Sequence, residues 1–92
     1  MWFYMRTGTI VQHFKRLFCT DIELFEEPNK YLYRIVGYGY DATHEEECII
    51  YQSLASDTRI FTREVTEFMS KVDKVKYPNC SQEYRFVEVT IK

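Results

Sequence analysis

Arg34, Arg59, Arg63 and Arg85 lie in or beside segments that also carry Tyr33, Tyr38, Tyr40, Tyr51, Phe61 and Tyr84. A guanidinium group is a planar fork that matches phosphate or carboxylate oxygens. Aromatic faces stack on bases, at about 1–3 kcal/mol per base. Gathered at one concavity, such residues would hold a small anionic, nucleotide-like ligand. The expected ligand-binding set is therefore Arg34, Tyr38, Tyr40, Tyr51, Arg59 and Arg63, joined by His44. An imidazole titrates near neutrality and can meet a phosphate. The competing reading makes the tyrosines core bodies with wet hydroxyls and pairs the arginines with nearby glutamates.

No catalytic arrangement accompanies them. The chain has no glycine-rich phosphate loop, nucleophile elbow or paired metal motif. Cys19, Cys48 and Cys80 are odd in number and lack metal-ligand spacing, and His13 and His44 stand alone. Neither a metal nor a cofactor is expected. Three reduced thiols fit a cytoplasmic protein, and Cys48, leading into an apolar run, is expected in the core. Glu45, Glu46 and Glu47 read as a solvated turn, and His13 as a structural hydrogen-bonder. An enzyme with a site around Asp41, His44 and Glu46 remains an alternative without a nameable substrate.

The elements that must position these groups belong to one domain spanning all 92 residues. Apolar residues make up 46% and charged residues 28%, which argues for a folded chain. Met1-Trp2-Phe3-Tyr4 precede a more natural start at Met5, so residues 1–5 read as an accessory N-terminal extension. No apolar run approaches the roughly 18 residues of a membrane span, and no basic leader precedes one. A net charge of -2 makes nucleic acid an unlikely partner, although small barrels with surface aromatics do bind single strands. A domain this small and aromatic leaves apolar area for a second copy, so a homo-oligomer is expected.

Residues 9–14 (TIVQHF) suit a first strand. In residues 20–27, Thr20 and Glu23 form a capping box for one or two helical turns ended by Pro28. Residues 30–40 (KYLYRIVGYGY) alternate as the clearest strand, with Tyr33 and Ile35 on one face and Arg34, Val36, Tyr38 and Tyr40 on the other. Gly37 and Gly39 flank Tyr38 and signal a bulge, a bend or a close backbone approach. Residues 47–54 and 59–62 read as strands, and 83–91 as the last. Between them Val65, Phe68, Met69 and Val72 form one helical stripe, which predicts a helix over 64–72. The expected fold is mainly β with one short helix: a small antiparallel, SH3-like or partly open β-barrel.

One ordered pattern runs through His13-Phe14-Lys15, residues 29–35 (NKYLYRI), residues 49–54 (IIYQSL), Arg63, residues 68–73 (FMSKVD) and Lys76-Tyr77-Pro78 to Phe86. Over residues 8–88 it resembles the bacterial and phage family known as domain of unknown function sixteen fifty-three. That resemblance brings no activity with it. Family members usually carry a His-Ser/Thr-Glu-Thr tetrad where this chain has Asp41-Ala42-Thr43-His44, and Arg-Pro where it has Arg63-Glu64. The family's occurrence in phage implies a phage-borne protein that sequesters a host signal or blocks a host defence component. The functional expectation is a non-catalytic recognition domain for a small anionic ligand or a host protein.

Overall fold

A computed structural model describes residues 5–90; the expected extension therefore lies outside the described residues except for Met5. The elements are β1 (Ile10–His13), a 3-10 turn (Phe14–Phe18), α1 (Asp21–Glu26), β2 (Leu32–Asp41), β3 (Glu46–Ser53), β4 (Ile60–Glu64), α2 (Val65–Phe68) and β5 (Phe86–Glu88). The strands form one antiparallel sheet in the order β4-β3-β2-β1-β5.

Alternation drives the sheet as expected, with one correction. The β2–β3 register shifts between Ile35 and Gly37, so Val36 is an extra residue. Ile35 faces Tyr51, yet beyond the bulge it is Tyr38, not Gly37, that sits opposite buried Ile49. The bulge carries Tyr38 from the face expected for it to the core face, where it packs against the core. Its hydroxyl donates to the Met5 carbonyl at 2.6 Å.

The core covers one face of the sheet. Val11, Ile35, Ile49 and Tyr51 meet Val65 and Phe68 from α2 and Phe86 from β5. Phe68 stacks on Phe86 with ring centroids 4.0 Å apart and planes 5° from parallel. On the opposite face Arg34, Ile60 and Thr62 are exposed.

The sheet does not close into a barrel, because β4 and β5 are not neighbours. β4 runs straight into α2 at Glu64, whose extended backbone caps the helix. From α2, Phe68 instead reaches β5 through its side chain, stacking on Phe86.

The expected helix over 64–72 is a single turn. After Met69 the chain extends, and Lys71 bridges Tyr84. Arg85 N–H donates to Ser70 O at 2.9 Å and Val72 N–H to Glu83 O at 2.8 Å. Val72 therefore leaves the helical stripe and joins a second cluster with Phe14 and Cys80. The last strand shortens for a related reason. Buried Gln82 donates to Gln12 O, Tyr84 O and Arg85 O, fixing the chain before Phe86 as a loop. Lys74 Nζ donates to Cys80 O and Gln82 O, tying down the preceding turn.

Half of the expected capping box forms: the Glu23 carboxylate accepts from the Thr20 hydroxyl at 3.3 Å rather than from the Thr20 amide. Glu23 N–H donates to Thr20 Oγ1 at 3.1 Å and starts α1. His13 is the structural hydrogen-bonder expected, its Nδ1 accepting from Lys15 N–H at 3.1 Å. Cys48, between Gly39 and Glu64 in the sheet, is partly exposed and not in the core; the buried thiol is Cys80. No helix among the described residues is long and apolar enough to cross a membrane.

Candidate functional site

The seven residues expected to bind ligand are divided among several surfaces. Arg34 lies on the open face of the sheet, between Ile10 and Gln52. Arg59 is exposed in the β3–β4 turn, and Tyr40 projects from the outer half of the β2–β3 hairpin. Tyr38 and Tyr51 belong to the core face.

Arg63 is on the core face opposite Ile49, where its Nε donates to the Tyr51 hydroxyl at 3.1 Å and its Nη1 to Glu67 Oε1 at 2.6 Å. Its guanidinium also sits 5.8 Å from the Phe86 ring centroid. Replacing Tyr51 with phenylalanine leaves that Nε–H without its acceptor. The expected cost is about 1.5 kcal/mol, as for hydrogen bonds to charged groups. It should appear as a lower urea midpoint at unchanged slope; an unchanged midpoint would show that the bond carries no weight.

Of the seven, Tyr51 and Arg63 are joined by that hydrogen bond, and His44 and Arg63 line one cleft of about 320 Å³ with Asp41, Cys48, Thr62, Glu64 and Glu67. The hairpin turn sets its geometry: Asp41 Oδ1 accepts from the Thr43 and His44 amides, and His44 Nδ1 lies 2.7 Å from Asp41 Oδ2. That contact lowers the Asp41 pKa and raises the His44 pKa. Glu64 is raised through its hydrogen bond with Glu46, two carboxyls held side by side. The cleft is thus acidic, opposite in sign to the anion site expected of its arginine. Asp41, His44 and Glu64 place one ligand atom each within 4.8 Å of one another, so these are the described residues that could hold a metal ion. Exposed acidic groups of this kind are common without one.

A second groove, of about 350 Å³, opens between the end of α1 and the β3–β4 turn. Its lining is Tyr31 and Tyr33, the polar groups Lys30, Ser53 and Ser56, the carboxylates Glu27 and Asp57, and Ala55. Local geometry builds each wall. Tyr31 adopts the left-handed region (φ 64°), which turns the chain from α1 into β2, and Arg16 Nη1 fastens that turn by donating to Lys30 O at 2.7 Å. Across the groove, Ser56 donates to Glu27 Oε2 from its amide at 3.2 Å and from its hydroxyl at 2.6 Å. Ser53 Oγ accepts from the Ala55 amide.

The groove has a negative bias. Lys30 Nζ is engaged by Glu23 at 3.2 Å and lies 5.8 Å from the Tyr31 ring centroid. Its charge is balanced there, while the Asp57 carboxylate forms no hydrogen bond or ion pair among the described residues. The Tyr33 pKa is pushed up to about 12, by burial first and then by Tyr51, Tyr31 and Asp57. Its hydroxyl stays protonated at any physiological pH.

Sequence reasoning placed none of the expected site residues in this groove. Tyr33 was in the aromatic set and residues 29–35 in the family pattern, but nothing local joins residues 27–33 to 53–57. The union is tertiary: Leu54 N–H donates to Leu32 O at 2.9 Å, and Ser56 reaches Glu27.

No curated protein and no solved structure matches the chain. A family model does, over residues 9–88, and by that match the chain belongs to the family described as protein of unknown function DUF1653.

Proposed function

We propose that this chain is a non-catalytic recognition domain that holds a segment of a partner protein in the Tyr31–Tyr33 groove. The observation that carries this reading is the groove itself: two tyrosine side chains, serine hydroxyls and carboxylates lining about 350 Å³. That is the size and make-up of a small recognition pocket. Of the two ligand classes expected from sequence, the host protein is favoured over the small anion. Glu27 and Asp57 outnumber Lys30 in the groove, and the cleft beside Arg63 holds Asp41, Glu64 and Glu67. In the same reading the curled sheet is a partly open, SH3-like barrel, with α2 spanning the gap between β4 and β5.

Site-specific photo-crosslinking tests it. A photoreactive residue at Ser56 in cells is expected to give a discrete adduct, while the same residue at Arg34 on the opposite face gives none. The adduct should vanish on Tyr31→Gly, which removes the ring and suits the left-handed backbone there. No adduct at position 56, the same adduct from both positions, or an adduct indifferent to Tyr31→Gly would overturn the reading.

A further inference from the structure

We infer that the occupant of the groove is the guanidinium end of an arginine side chain presented by the partner; this rests on the recognition reading above. The lining includes the side chains of Tyr31 and Tyr33, and a tyrosine ring attracts cations through its quadrupole. One such cation is already present: the Lys30 ammonium sits over Tyr31. It is held there by Glu23 from outside the groove, so it does not neutralise the groove's own carboxylates.

Those carboxylates are Glu27 and Asp57. Glu27 Oε2 is occupied by the amide and hydroxyl of Ser56, which fixes the carboxylate in place. Asp57, on the β3–β4 turn, has no cation of its own among the described residues. The Tyr33 hydroxyl offers a further acceptor that stays neutral. The groove therefore presents aromatic side chains, a carboxylate unpaired among the described residues, neutral oxygens and one ammonium, already paired.

Arginine fits this set better than lysine. A guanidinium is planar, weakly hydrated and able to stack on a ring while its edge donates to a carboxylate. An ammonium would need the single point over Tyr31 that Lys30 fills. An anionic group would meet two carboxylates, with the only ammonium committed to Glu23.

The test is a titration of the ¹⁵N-labelled protein, followed by amide chemical shifts, with Nα-acetyl-arginine amide, its neutral isostere Nα-acetyl-citrulline amide, and Nα-acetyl-glutamate amide. The arginine probe should shift the amides of Tyr31, Tyr33, Ser53, Ser56 and Asp57. Citrulline should bind more weakly by about three- to fivefold, the size of an exposed cation–π or ion-pair contribution. Asp57→Asn, at an exposed turn position, should weaken the arginine probe by a similar factor with the rest of the spectrum unchanged.

Equal binding of citrulline and arginine, preference for the glutamate probe, or no shifts in the groove with any probe would overturn the arginine assignment. A Ser56 adduct in the crosslinking experiment would still leave the groove as the recognition surface. Loss of that adduct is the separate failure of the underlying reading.

Discussion

Phe68→Ala is expected to remove most of the protein's stability, at a cost of about 3–5 kcal/mol. Phe68 is completely buried, stacks on Phe86 at 4.0 Å and meets the edge of Tyr51 at 5.3 Å. It also joins α2 to β3 and β5 through those two rings, so its ring fills the space between α2 and the sheet. α2 has four residues, too few to slide inward as a unit and refill the space. Small domains have about 5–15 kcal/mol in total. With about 4–8 °C lost per kcal/mol, the thermal midpoint should fall by at least about 12 °C. Phe68→Leu, which keeps most of the volume, should lose far less. A drop of under about 1 kcal/mol for the alanine variant, in urea or thermal unfolding, would show that α2 is held by something else.

Acidification should produce the second large effect, through His13. Its ring is 7% exposed, stacks on Phe14 at 4.6 Å and meets Phe86 edge-on at 4.9 Å. Its pKa is lowered from 6.5 to about 4, by burial first and then by the charges of Arg63, Arg85 and Lys15. The folded pKa lies below the unfolded one, so the stabilising contribution of neutral His13 is fully present above pH 6.5 and is lost as pH falls towards 4. At about 1.4 kcal/mol per unit, the loss across that window is about 3 kcal/mol. Protonation also takes away the Nδ1 lone pair that accepts from Lys15 N–H. His44 works in the opposite sense. Its pKa is raised by Asp41, so its contribution is present below 6.5 and fades as pH rises, and its exposure keeps that contribution small. His13→Asn is the control, because an asparagine side chain can cap the 3-10 turn without titrating. Urea unfolding of the natural chain should lose stability steeply between pH 6.5 and 4, and the variant should not share that slope. Matching slopes would assign the acid limb to other groups.

Most of the framework was legible because it is periodic. The alternation of residues 30–40 and 47–54 predicts the central hairpin, and the Thr20–Glu23 box predicts the start of α1. The failures have local causes. A stripe at helical spacing runs to Val72, but a four-residue helix suffices to seat Phe68, and Val72 serves a different cluster. Period alone cannot tell which core a residue will join. The glycines at 37 and 39 signalled an irregularity, yet the extra residue is Val36, and that offset moves Tyr38 to the other face. The candidate site was less legible. Arg34, Arg59 and Arg63 share a composition but no surface, because one lies on the open face, one in a turn and one over the core. The Tyr31–Tyr33 groove depends on contacts between segments about two dozen residues apart, which no local pattern records.

The bulge at Val36 also has an evolutionary side. It divides the hairpin into an inner half, committed to the packed interior, and an outer half whose pairing follows its own count of residues. Tyr38 and Ile49 still pack inside just past it, but residues 39–48 belong to neither core cluster, so substitutions there can accumulate without forcing the interior to readjust. Asp41 to His44, the hairpin tip, lie in that stretch. The offset thus acts as a firebreak: the tip can change while the protein remains foldable.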